Sequence, residues 1–269
     1  MTTTAVAEIP VGETDDGKMS FLEHLGELRT RIIWSLIPAV IGLLIAFRFS
    51  DYIIRFISRP LTSRGSQLVF LAPTEAFWTS MKISMVAGIF LAMPVILWQV
   101  WAFVAPGLHA HERKYAGPFV IVGSLLFLGG GAFALLVVVP FAITFLVSFG
   151  QQQGIKDMIS VGNHVDFVIK FTLAFGLVFE MPVVITLLSL MGIVTPRFLS
   201  KNRKYAILIN FVIAAILTPT PDVVNQTLMA GPLCILYEVG ILSAWLFGKR
   251  AKKPAAEAAS AAAPPADTT

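Results

Sequence analysis

Cysteine and charge are the two things this chain has least of. Cys234 is the single cysteine in 269 residues, so no internal disulfide or cysteine metal cage can form, and its thiol is expected to serve packing. Charged side chains make up 13% of the sequence and hydrophobic ones 56%, whereas soluble domains carry roughly 25% and about 45–50%. That balance excludes an ordinary water-soluble globule. The opening residues, "MTTTAVAEIPVGETDDGKMS", lack a basic stretch leading into an apolar core, so a cleavable signal peptide is not expected. His24, His109, His111 and His164 are scattered and read as surface histidines rather than a metal site.

What the chain does have is long, almost uncharged blocks: 32–47, 83–108, 115–150, 171–192, 205–221 and 223–248, interrupted only by Glu180 and Glu238. About 20 helical residues cross a hydrocarbon core of roughly 30 Å. The blocks show no alternation, and a lipid-facing backbone must close its hydrogen bonds within helices or a barrel. The fold class expected is therefore an all-α polytopic membrane protein. Thirteen basic residues fall in four segments: the N-terminus, 109–114, 197–204 and the tail. Placing all four in the cytoplasm requires an even number of crossings between successive segments, which predicts six transmembrane helices. The 115–150 block then stays one long helix, loosened near "GGG" at 129–131 and near Pro140. Arg48, Arg55, Arg59 and Arg64 fall in the first outer segment, where "YIIRFI" reads as an amphipathic stretch on the interface whose arginines reach headgroups. The fifth span, 205–217, covers only about 20 Å. Residues 93–115 and 181–205 echo each other, each with Met-Pro and a second Pro nine residues before the Tyr of Arg-Lys-Tyr; two units of like orientation would produce this. The domain reading is a cytoplasmic extension over 1–19, a membrane domain over 20–247 and a disordered cytoplasmic tail over 248–269.

The stretch "SFLEHLGELRTR" at 20–31 opens with a capping-box pattern, Ser20 to Glu23. Glu23, Glu27 and Arg31 then share one helix face. A Glu27–Arg31 pair and a positive anchor account for the arginines, but not for carboxylates kept beside an anionic membrane surface. Such a patch suits a cationic partner. Glu180 sits near the middle of the fourth span, where an ionisable group costs several kcal/mol unless paired, neutralised or hydrated; one use for it is the carbonyl freed by Pro182. Glu238 and Lys82 are weaker candidates of the same kind, and Lys82 can snorkel outward. Asp222 reads as a helix cap after the Pro-rich outer turn.

"FLEHLGELRTRI", "PVILWQVWAFVAPGLHAHERK", "FGLVFEMPVV" and "LTPTPDVVNQTLMAGPLCILYEVG" resemble the signatures of the TatC family, the largest membrane subunit of the twin-arginine protein translocase. The resemblance implies six helices in a cupped-hand arrangement with both termini cytoplasmic in a prokaryotic inner membrane. It implies a signal-peptide receptor that exports folded proteins on the proton-motive force, not an enzyme. No cofactor or metal is implied, and no P-loop is present. Twin-arginine precursors, the single-span proteins TatA and TatB, membrane lipid and further copies of the chain are the implied partners, with no nucleic acid. Glu27 and Glu112 match the signal-peptide-contacting positions, and Leu25, Arg29, Arg31 and Phe103 lie in the same motifs. Paired guanidiniums need such acceptors, because their planar forks match carboxylates bidentately. The resemblance puts Glu180 in the concave interior, facing a partner helix, and adds partner contact to Asp222 and Gln226. The long acidic N-terminus, the Ala/Pro tail and an extra Thr in "TPTPD" depart from the family pattern. Two other classes stay open on the residues alone: a secondary transporter relaying ions through Lys82, Glu180 and Glu238, and a scaffold that only assembles single-span helices.

Overall fold

The computed structural model describes residues 21–63, 65–107, 116–154, 158–217 and 223–247. Glu112, Asp222, His109, His111, the 1–19 extension and the 248–269 tail lie outside these residues.

The chain runs through α1 (Phe21–Arg48), α2 (Ser50–Thr62), β1 (Gln67–Val69) and α3 (Glu75–Val104), which ends in a 3-10 turn at Ala105–Gly107. It continues through α4 (Ala116–Phe133), a π-helical turn at Ala134–Val138 and α5 (Val139–Gln152). Then come β2 (Met158–Ser160), α6 (Val161–Phe179), α7 (Met181–Leu190), α8 (Pro196–Lys201), α9 (Arg203–Leu217) and α10 (Val223–Phe247). Five runs are long and apolar enough to cross a membrane: 23–48, 75–104, 116–152, 161–190 and 226–247. At 15 residues, α9 reaches about 22 Å and falls short of that length.

Small residues set how closely these helices pack. A Cβ built on Gly88 of α3 would stand 2.5 Å from the backbone nitrogen of Leu43, and one on Gly42 of α1 would stand 2.8 Å from the Gly88 carbonyl oxygen. With no Cβ on either side the two backbones touch, which is how spans gain dispersion energy when lipid is as apolar as leucine. The rest of α1 faces outward, Ile32, Trp34, Leu36 and Leu44 among it, so one seam holds the helix. Gly130 of α4 meets the Phe175 carbonyl of α6 in the same way. Around α6 gathers the main core of Val165, Val168, Phe171 and Phe175 with Val138 and Leu233.

Two expectations change here. The triple glycine does not loosen its helix: α4 is regular through 129–131, and Gly130 and Gly131 are buried against α6 and Phe90. The irregularity is the π-helical turn immediately before Pro140, where a residue without an N–H disturbs the ladder of the preceding turn. The fourth span begins at Val161 rather than 171, taking in Asp166 and Lys170, and it is interrupted at Glu180, the cap shared by α6 and α7. Pro182 follows within the first turn of α7. The two halves of the echo therefore diverge, since α3 runs unbroken through Pro94.

At the far end of α1 the chain turns at Phe49 into α2, which buries Ser50, Ile57, Ser58 and Leu61. His164 Nε2 donates to the Ile57 carbonyl at 3.0 Å, tying α2 to α6. Beside it, β1 and β2 pair in parallel, with Gln67 opposite Met158 and Val69 opposite Ser160.

Candidate functional site

The first turns of α1 meet the end of α3 in a compact polar cluster. Glu27 and Arg31 are one helical turn apart, and Arg31 Nη2 donates to Glu27 Oε1 at 3.0 Å, as the i, i+4 pattern predicts. Arg31 Nη1 also donates to Gln99 Oε1 at 3.1 Å, so the guanidinium is held by both helices. Glu27 Oε2 is covered and accepts no hydrogen bond among the described residues; His24 Nδ1 lies 4.0 Å from it. His24 is not an isolated surface histidine: its ring stacks on Phe103, with centroids 4.3 Å apart and planes 16° apart. Leu25 and Arg29 are exposed on the same turns of α1. The structure thus brings Glu27, Arg31, His24 and Phe103 together. Covering a carboxylate oxygen without a donor is costly, and here it leaves a preorganised acceptor whose other oxygen is already fixed.

Glu180 is the second incomplete carboxylate. It is 5% exposed, and among the described residues neither oxygen has a hydrogen-bond partner. The side chain therefore does not serve the carbonyl freed by Pro182. It points at Gly123 of α4, where a Cβ would stand 3.1 Å from Oε2 and 2.7 Å from Leu97 of α3. A glycine at 123 is what gives the carboxylate its place between those helices.

The other charged candidates have partners. Lys82 Nζ donates to both oxygens of Asp166, at 2.8 and 2.9 Å, joining α3 to α6 with side chains 44% and 40% exposed. Glu238 accepts from Arg203 Nη2 at 2.7 Å, across α9 and α10. Gln226 donates to the Phe211 carbonyl of α9 at 3.1 Å, close to Asn210, whose Nδ2 contacts Cys234 Sγ at 3.7 Å.

Sequence reasoning missed three participants. An apolar block that begins at Phe171 excludes Asp166; the helix extends back to Ser160, whose hydroxyl accepts from Asn163 N as an N-cap, and includes it. Glu75 carries the helix-start signal of an acid after "PT". Its role as a hub has no local signal: it accepts from the backbone of Leu71, Ala72 and Gly162 and from the Ser160 hydroxyl, gathering the connection before α3, β2 and α6. Gln99 carried no local signal.

Comparison with known proteins follows this geometry. The family model described as Sec-independent protein translocase protein (TatC) matches residues 23–232. The chain is 47% identical over 230 residues to the TatC protein of Carboxydothermus hydrogenoformans, covering 86% of this chain and 94% of the relative. It is 37% identical to TatCy of Bacillus subtilis, with coverages of 89% and 94%. Two crystal structures of the twin-arginine translocase receptor TatC, one in DDM, superpose with TM-scores of 0.72 and 0.74 at 42% and 41% identity, covering 83% and 84% of this chain and 98% and 100% of theirs.

Proposed function

The chain belongs to the TatC family of Sec-independent protein translocase proteins, and on that premise we propose that the cluster at the start of α1 receives the paired arginines of a signal peptide. It is a multi-pass membrane subunit of the Tat translocase. The observation that carries the receptor reading is the unfinished state of Glu27, with one oxygen clamped by an Arg31 that Gln99 holds in turn, and the other covered and without a donor. An incoming guanidinium supplies that donor. Glu112 is the second acceptor, Leu25 and Arg29 flank the site, and Phe103 with His24 offers an aromatic surface for the signal's apolar residues.

In this reading short α9 also crosses, bringing the spans to six in a cupped hand, and both termini face the cytoplasm of a prokaryotic cell; basic-residue parity supports it. Transport draws on the proton-motive force. TatA and TatB are the partners expected near Gln226 and Asp222 beside short α9, in an assembly holding more than one copy of the chain. Glu180 couples precursor binding to transport, and Glu238 contributes through its pair with Arg203.

The test is reciprocal charge exchange. Glu27→Lys and Glu112→Lys, alone and together, are assayed for binding of precursors bearing Arg-Arg, Lys-Lys or Glu-Glu at the signal pair. Each single change is expected to weaken Arg-Arg binding about tenfold, the equivalent of losing one charge-assisted hydrogen bond, and to restore part of the Glu-Glu binding. Full Arg-Arg binding by the double variant rules the site out.

A further inference from the structure

We propose that the outward face of α2 and the adjoining turn of α5 form a binding site for an anionic phospholipid. Arg55 and Arg59 take the headgroup phosphate, and the apolar strip around Pro140 takes an acyl chain. The site sits at the opposite end of α1 from Glu27 and is independent of the receptor reading.

The observations start with the two faces of α2. Its inner face is already committed to the core through Ile57 and Leu61 and to α6 through His164. Its outer face carries Asp51, Tyr52, Arg55, Phe56 and Arg59, all exposed; Arg55 shares one groove with Asp51 and Arg59 lines another, so the two arginines leave the face with a net positive charge. Neither arginine makes an ion pair among the described residues. The Arg59 guanidinium carbon lies 5.7 Å from the centroid of Phe56, within reach of a cation–π contact. Arginine forks match phosphate oxygens bidentately.

Beside Arg59 lies a groove of about 580 Å³ lined by Pro60, Thr62, Ser63 and, from the third span, Pro140. Leu136 and Val137, one turn before Pro140, and Phe141, next to it, are exposed side chains of the same span. The π-helical turn at Ala134–Val138 lies directly under this junction; such turns recur at functional positions in helices. A basic headgroup pocket thus runs into an apolar track along one span. A water-borne phosphate has no use for the track, and a zwitterionic lipid repays the two arginines less because its choline opposes them. Charge complementarity commits the site to a lipid of net negative charge.

Native mass spectrometry of the full chain in detergent tests this, with phosphatidylglycerol and phosphatidylcholine of identical acyl chains as probes. The wild type is expected to bind phosphatidylglycerol about fivefold more tightly, the scale of two exposed ion pairs. Arg55→Gln with Arg59→Gln should remove that preference while Lys201→Gln with Lys204→Gln keeps it. Equal binding of the two lipids by the wild type overturns the proposal, as does an unchanged preference in the arginine variant. Displacement of phosphatidylglycerol by equimolar inorganic phosphate would show a free-anion site and overturn it too. A phosphatidylglycerol with a photoreactive acyl chain serves as an arm that needs no substitution. Label on Leu136, Val137 or Phe141 supports the site, and label confined to other spans refutes it.

Discussion

Glu27 and Glu180 are both covered carboxylates with an oxygen that no donor among the described residues satisfies, yet their surroundings ask different things of them. Glu27 has one oxygen held by Arg31 at the end of a helix, where a cation can arrive from water. Glu180 has neither oxygen held and lies between Gly123 and Leu97, in a span where charge is expensive. Among the described residues nothing repays that expense, which is the ground for the coupling role proposed for it. Glu180→Gln and Glu180→Ala are accordingly expected to leave precursor binding within about twofold, a difference below the roughly 1.4 kcal/mol of a tenfold change, while export falls sharply. Measuring the two separately checks this, and normal export by both variants would make the residue dispensable. At this scale the Glu27–Arg31 pair was legible because helix geometry alone brings i and i+4 together. Gln99, 68 residues from Arg31, and the stacking of His24 on Phe103 were not, because only packing of α1 on α3 creates them.

Among the elements, α1 is the most exposed to its surroundings, and its attachment depends on two glycines facing each other. Gly88→Val places a branched side chain where even a Cβ meets the Leu43 backbone at 2.5 Å, so the helices must part. The expected loss is about 1–3 kcal/mol, as for other overpacked sites, read as a lower thermal unfolding midpoint in detergent. Because Glu27, Arg31 and His24 ride on α1 while Gln99 and Phe103 ride on α3, the same variant should also weaken Arg-Arg precursor binding. A control at Gly129, where a Cβ meets nothing within 4 Å, is expected to change neither. Hydropathy along the chain located these helices, since a span must be apolar for its whole length. It did not locate the close approach, because a glycine at a helix crossing and a glycine facing lipid look alike in sequence; the "GGG" run shows both, with Gly130 against Phe175 and Gly129 open.

For the whole molecule, the reading of the termini makes a direct prediction. In a Cys234→Ala background, a cysteine placed at Lys201 should resist an impermeant thiol reagent added to intact cells and react once the cells are opened, whereas one at Gln67 should react from outside. Labelling of position 201 in intact cells would overturn the topology. The end that holds Gln67 is built from long-range polar contacts: Glu75 to Gly162 and Ser160, Lys82 to Asp166, His164 to Ile57, spanning 84 to 107 residues of chain. By itself the sequence determined the membrane class, the long spans, the short α9, the amphipathic α2 and the Glu27–Arg31 pair. Each of these depends on solvation or periodicity along a single helix, where neighbours in sequence are neighbours in space. Tertiary structure alone decided that Lys82 is paired rather than snorkelling, that Glu75 ties α3 to β2 and α6 and that Glu180 is left without a donor among the described residues. These outcomes depend on which distant backbone or side chain packing brings within 3 Å, and no local pattern encodes that.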